Sequence, residues 1–412
     1  MSVRQDYKTT EIGEIPEDWE VVRLEEIATR FISGGTPSTS NPEYWNGNIP
    51  WMKSAWIRRR FVDSGERYIT RKGLRNSAAN IVPEDSLLIA TRVCIGNIAI
   101  NKIDVAISQD LTGVVIEKSK AYPEYVYWVL RNSENKVKQL VQGSTIKGVL
   151  REDLEKIKIP CPSLPEQRKI ATILSTVDEA IQKTDEVIGK TEILKRGLMQ
   201  RLLTRGIGHT NFRQTELGET PETWNIRKLG DNRIAKIIMG QSPSSSSYNM
   251  DREGLPFLQG NAEFGRIYPS PQIYTKTPQK IAEKNDVLVS VRAPVGDLNI
   301  APFKCCIGRG LAAIRPQNAI LNTMFIFYYL KQNIRRLLRL QTGSTFKAIR
   351  KNDLSEFKVS VPHVSEQKRI ADFLATCDKK IGTELNKKTQ LESLKKGLMQ
   401  VLLTGKVRVK VD

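Results

Sequence analysis

The sequence predicts an α/β (α+β) protein with two similar mixed α/β domains, separated by an antiparallel pair of long coiled-coil helices and related by a pseudo-two-fold internal duplication. Three observations predict this: a repeat at whole-domain spacing, a heptad stripe closing each copy, and short β-rich runs mixed with helical spacing in between.

The repeat is the strongest of the three. Residues 143–204 return as 343–404, so position 143 recurs at 343, a shift of 200. Gly143-Ser144-Thr145 becomes Gly343-Ser344-Thr345, Lys147 becomes Lys347, Glu166-Gln167 becomes Glu366-Gln367, and Gly197-Leu198-Met199-Gln200 becomes Gly397-Leu398-Met399-Gln400. Such a period, present twice, is too long for a solenoid of stacked small units. Toward the start of each half the match continues less cleanly. Residues 10–17 and Trp19 return at 215–222 and Trp224, Ile49-Pro50-Trp51 matches Leu255-Pro256-Phe257, and Arg92 with Gly96 matches Arg292 with Gly296. Between these landmarks loop lengths and polar residues differ, which implies one scaffold carrying two different surfaces.

Over residues 166–204 the apolar positions Ile170, Leu174, Val177, Ile181, Ile188, Leu194, Leu198 and Leu202 fall in heptad steps. Pro165 suits a first turn and Gly206 an ending, and at 1.5 Å per residue the helix would be about 58 Å long. The second copy repeats the stripe from Ile370 to Leu402, with Ser365 as its expected cap. A single stripe needs a partner, and its own duplicate is the obvious one. The second helix can pack on the first only by running back, which gives the antiparallel pair and its pseudo-two-fold symmetry. The boundaries expected are 1–160 and 207–362 for the globular domains, 161–206 for the central helix and 363–412 for the C-terminal one.

Within the globular stretches, residues 86–90, 98–100 and 113–116 read as strands, and residues 125–140 and 324–340 as helices. Polar loops at 33–42 and 239–247 occupy equivalent positions, where recognition commonly sits. The five cysteines form no CxxC pair, so neither a disulfide framework nor a zinc ribbon is supported; Cys305-Cys306 reads as part of a buried strand. Lys and Arg number 64 against 45 Asp and Glu in the 412 residues, a net charge of +19. That excess favours polyanionic partners. There is no apolar run long enough to span a bilayer and no signal peptide at the start, so a cytoplasmic protein with no membrane partner is expected.

Taken together, the tandem halves, the Gly-Ser-Thr-x-Lys segment before each helix, the helix starts Pro162-x-x-x-Glu166-Gln167 and Pro362-x-x-x-Glu366-Gln367, and the Leu-Lys-x-Gly-Leu-Met-Gln helix ends resemble the specificity subunit of a type I restriction-modification system. The resemblance covers essentially the whole chain. It implies two target-recognition domains, each reading one half of a bipartite, asymmetric duplex DNA site. It also implies two methyltransferase subunits bound through the helices, and ATP-dependent restriction subunits joining that core. It implies no catalytic centre and no cofactor in this chain, with S-adenosylmethionine held by the methyltransferase. Alternatives are a recognition subunit serving a fused restriction-methylation enzyme, and a self-contained methyltransferase or nuclease with degenerate motifs.

The residues themselves point the same way. Asn41-Pro42-Glu43-Tyr44 resembles a methyltransferase amine-binding element but carries Glu at its third position, and reads as a turn. No phosphate-binding or dinucleotide fingerprint is present, and the two histidines, His209 and His363, lack a partner motif. For DNA contact, residues 51–60 offer Lys53, Ser54, Arg58, Arg59 and Arg60, types that bind phosphates or the guanine edge. A solvated basic turn beside two core tryptophans is the competing reading. The matching region of the second half offers Gln259, Asn261 and Arg266, the amides being suited to adenine. Arg92, Arg292, Lys147 and Lys347 recur at equivalent positions, which fits a shared phosphate or structural role better than sequence reading. Finally, Leu198, Met199, Leu202 and Leu203, and likewise Leu398, Met399, Leu402 and Leu403, cover more apolar face than one seam needs. The surplus is expected to bind a partner.

Overall fold

The structure, a computed structural model, describes residues 6–133, 148–339 and 348–410. It divides into two compact units that do not follow the sequence halves. One unit comprises Met1–Thr184 with Lys387–Asp412, the other Asp185–Asn386. Each unit therefore holds one globular domain, the first half of the long helix that follows it, and the last half of the other long helix.

In the first unit, strands Leu87–Ala90, Ile98–Asn101 and Leu111–Ile116 lie together in a five-stranded sheet flanked by Ala28–Ser33 and the short Phe61–Val62. These runs are largely apolar because both faces are covered. Leu87, Ile89, Ile98, Ile100, Val114 and Ile116 pack on the helix Pro123–Asn132, while Leu88, Ala90, Ala99 and Leu111 meet Met52, Val82, Val105 and Ile107 of a second, four-stranded sheet. Alternate residues of one strand thus supply two cores. The second unit repeats this division, Val287 and Val289 facing the helix Thr323–Gln332 and Leu288 facing the other sheet beside Cys305 and Ile307. Cys305–Ile307 is a fully buried strand, as expected.

The sheets set the polar loops. An added Cβ at Gly34 would lie 2.2 Å from the Ile107 carbonyl oxygen, and one at Gly240 would lie 2.1 Å from that of Gly308, so glycine lets both loops leave their strands hard against a sheet. Trp45 and Tyr248 then hold the loops from equivalent sites, donating to the carbonyls of Ser38 and Pro243 at 3.1 Å. Asn41 accepts from the Glu43 backbone N–H at 3.1 Å, opening a 3-10 turn over Pro42–Tyr44.

The long helices span Leu164–Arg205 and Val364–Leu402. Pro165 lies in the first turn, and Gly206 ends the central helix at φ 65°. Ser365 is inside the second helix rather than capping it; its hydroxyl meets His363 Nδ1 at 2.8 Å. The repeated Gln of each helix start couples helix to domain. Gln167 accepts the Tyr122 backbone N–H and Gln367 that of Asn322, both at 2.8 Å, satisfying donors at the start of each domain's helix. The expected helix at 324–340 is two over its described residues, Thr323–Gln332 and Ile334–Leu338, and that at 125–140 is described as Pro123–Asn132; 340 and 134–140 lie outside the described residues.

Candidate nucleic-acid interface

In the first unit the strand Trp45–Met52 runs into a 3-10 turn, Ser54–Trp56. Trp51 is core, donating to the Gly35 carbonyl at 3.1 Å and meeting Trp45 edge-on at 5.3 Å. Trp56 is not core: it is partly exposed, with the Arg58 guanidinium 5.2 Å from its ring centre. Arg59 is exposed with no ion-pair partner among the described residues, and Lys53 is exposed beside Glu66 at 3.0 Å. Lys53, Arg58, Arg59 and the aromatic face of Trp56 therefore form one basic surface.

Two members of the expected set drop out. Ser54 is buried. Arg60 is 4% exposed, donating to the Ser175 hydroxyl and to Glu179 at 3.2 Å, with Asp178 at 3.9 Å. A guanidinium so enclosed, over the rings of Phe61 and Trp128, joins the domain to its helix and cannot reach DNA.

Arg266, its counterpart in the second unit, also joins its domain to a long helix, but unlike Arg60 it stays exposed. It donates to Asp378 at 2.8 and 3.0 Å. Asp378 also receives Lys195 Nζ at 2.6 Å and the Tyr328 hydroxyl at 2.8 Å. Burial alone would raise the Asp378 carboxyl, but hydrogen bonds from Lys195, Tyr328 and Arg266 and the Lys195 charge outweigh it and hold the group below its usual range. The first unit has the same plan: Asp178 receives Lys395 at 2.5 Å, and Lys395 lies 4.8 Å from the Trp128 ring centre. In each unit a Lys–Asp pair thus joins the two long helices alongside buried stripe residues such as Leu174, Leu374 and Ile381.

Of the other expected contacts, Gln259, Arg92 and Arg292 are exposed. Asn261 donates to the Asp297 carboxylate, which leaves its amide oxygen available. Lys147 and Lys347 lie outside the described residues. His209 meets Glu366 at 2.9 Å, and Glu366 also accepts from Trp224 Nε1 at 3.2 Å and the Ile207 N–H at 2.9 Å. Its counterpart Glu166 accepts from Trp19 at 3.2 Å and from Arg408 at 2.7 and 2.8 Å. The repeated Glu and Trp are one latch, used twice. Burial pushes the Cys305 thiol up to about 12.

The apolar surplus at the helix ends is also reassigned. Met199, Leu202 and Leu203 are buried in the core of the second unit with Trp224 and Phe325, and Leu198 packs partly buried against it. Leu402 and Leu403 are buried in the core of the first, with Leu398 and Met399 partly buried against it. Periodicity identified the face, but the globular core, rather than a partner, receives it. Exposed apolar side chains sit just before, among them Ile193, Leu194 and Leu394, with exposures of 69%, 56% and 50%.

Among the described residues no helix is long and apolar enough to cross a membrane. The type I restriction modification DNA specificity domain matches residues 16–188 and again 221–393. The chain is 40% identical to the MjaX type I restriction enzyme specificity subunit of Methanocaldococcus jannaschii, covering 98% of this chain and 97% of that one. It is 30% identical to the MjaVIII specificity subunit of the same organism over 96% and 94%. A chain solved in work on assembly and conformational transition of the type I restriction-modification system is 27% identical with a TM-score of 0.55, covering 95% of this chain and 99% of that one. The specificity subunit from M. genitalium shares the fold at a TM-score of 0.66 and 15% identity, over 93% and 96%. With two tandem matches, each spanning a globular domain and the first part of the helix after it, the chain belongs to the type I restriction-modification DNA specificity family, whose members recognise DNA without a catalytic centre of their own.

Proposed function

We propose that the two units read the two halves of an interrupted, asymmetric duplex DNA site, and that the long helices seat two methyltransferase subunits, which the restriction subunits join. The observation that carries this reading is a repeated anchor beneath unlike surfaces. Arg60 and Arg266 each tie a domain to its helix, through Ser175 and Glu179 in one unit and Asp378 in the other, while beside them one unit presents Lys53, Trp56, Arg58 and Arg59 and the other Gln259 and Asn261. S-adenosylmethionine belongs to the methyltransferase, and the complex works in the cytoplasm.

Changing Arg58 and Arg59 together to Gln is expected to weaken duplex binding and to flatten log K against log salt by about 0.9 for each phosphate no longer neutralised. An unchanged slope would remove this segment from the interface. For the partner surface, Leu194→Asp or Leu394→Asp should leave the melting temperature nearly unchanged, because both side chains are exposed, yet should lower methyltransferase retention on a sizing column. Full stoichiometric complex with both variants would place the partner elsewhere.

A further inference from the structure

We propose that a cleft in the second unit is a DNA backbone-phosphate site, one that the first unit does not repeat. The cleft, of about 350 Å³, is lined by Arg292, Arg309, Arg350 and Lys351, with Gly240 and Val291 at its base. All four cations are exposed, and none has a carboxylate at ion-pair distance among the described residues. Asp353 turns its carboxylate to the Arg350 backbone N–H at 2.8 Å.

Backbone hydrogen bonds hold these walls in place. Arg292 and Ala348 form an antiparallel bridge, and the Ile349 N–H donates to the Val291 carbonyl at 3.0 Å. The Gly240 N–H donates to the Leu311 carbonyl at 2.8 Å, and the Arg309 N–H to the Ser242 hydroxyl at 3.3 Å. Three guanidiniums and an ammonium thus converge on one opening with no carboxylate among the described residues to neutralise them. A phosphodiester fits that chemistry, since guanidinium forks pair with phosphate oxygens bidentately.

The first unit lacks the arrangement. Its equivalents are Arg92, Gln109, Leu150 and Arg151. Gln109 accepts the Thr36 hydroxyl at 2.6 Å, and Arg151 is paired with Glu155 at 2.6 Å. Of these four, Arg92 alone is a cation with no ion-pair partner among the described residues.

This inference rests on the DNA-recognition reading, and the test separates the two. The full chain, assembled with its methyltransferase subunits, is titrated with non-specific duplex over a salt series. Arg309→Gln combined with Arg350→Gln is expected to reduce the salt slope by about 1.8, at about 0.9 per phosphate, whereas the charge-retaining Arg309→Lys with Arg350→Lys keeps it and Arg151→Gln changes it little. The methylated sequence should stay the same in all three. A wild-type slope in the double Gln variant overturns the cleft but leaves the reading intact. Salt-independent duplex binding by the wild type overturns the reading itself. Inorganic phosphate that binds the wild type but not the double Gln variant, with the DNA slope unchanged, would mark a free-anion pocket and also overturn the proposal.

Discussion

Replacing Asp378 by Ala is expected to cost the second unit about 3–5 kcal/mol, the usual penalty for breaking a buried ion pair on one side. Its side chain is 2% exposed and serves Lys195, Arg266 and Tyr328 together, so truncation strands an ammonium in a nearly closed site and leaves a buried phenol without its acceptor. For a unit of this size the melting temperature should fall by about 2–4 °C per kcal/mol. The same carboxylate predicts an acid dependence. Its folded value is held below the ordinary 3.8, so its stabilisation is complete above that value and is lost as pH falls through the lower folded one. Thermal unfolding of wild type and Asp378→Asn from pH 7 to pH 3 checks both points: the wild type should lose stability on acidification by an increment that the variant lacks. Superimposable profiles would show that the cluster contributes nothing.

Exchange of residues 1–160 for those of a relative should rewrite one half of the methylated sequence and leave the other half intact, abolishing modification at the original site. The graft must keep Tyr122 in reach of Gln167 and Arg60 in reach of Ser175 and Glu179, since these bonds seat the domain on a helix it does not itself contain. Methylome sequencing reads the result. Changes in both half-sites would mean that the two domains do not recognise DNA independently.

The duplication, the strands around residues 87–116, the buried cysteine strand and both long helices were legible in the sequence because each follows from local period and composition. What was not legible depends on distant partners. Arg60 looked like Arg58 and Arg59 because nothing nearby in sequence reveals that its carboxylate is Glu179. Leu202 and Leu203 looked like surplus because a heptad marks an apolar face without saying which core receives it. The signal that could have helped was present: Arg60 and Arg266 match at the same shift as Trp51 and Phe257, and Asp178 and Asp378 match at the helix shift. A cation and an anion that recur together in diverged surroundings are more readily explained by each other than by DNA.

The make-up of the two units also bears on synthesis. The second unit is one continuous stretch, Asp185–Asn386, while the first needs Lys387–Asp412 to be complete. Leu402 and Leu403 fill its core, and Arg408 closes on Glu166 and Asp18. On the ribosome the domain translated first is therefore the last to be finished. Until Leu402 and Leu403 emerge, the nascent chain carries an open apolar slot where they belong, and a stop codon within Val364–Leu402 would damage the domain translated first.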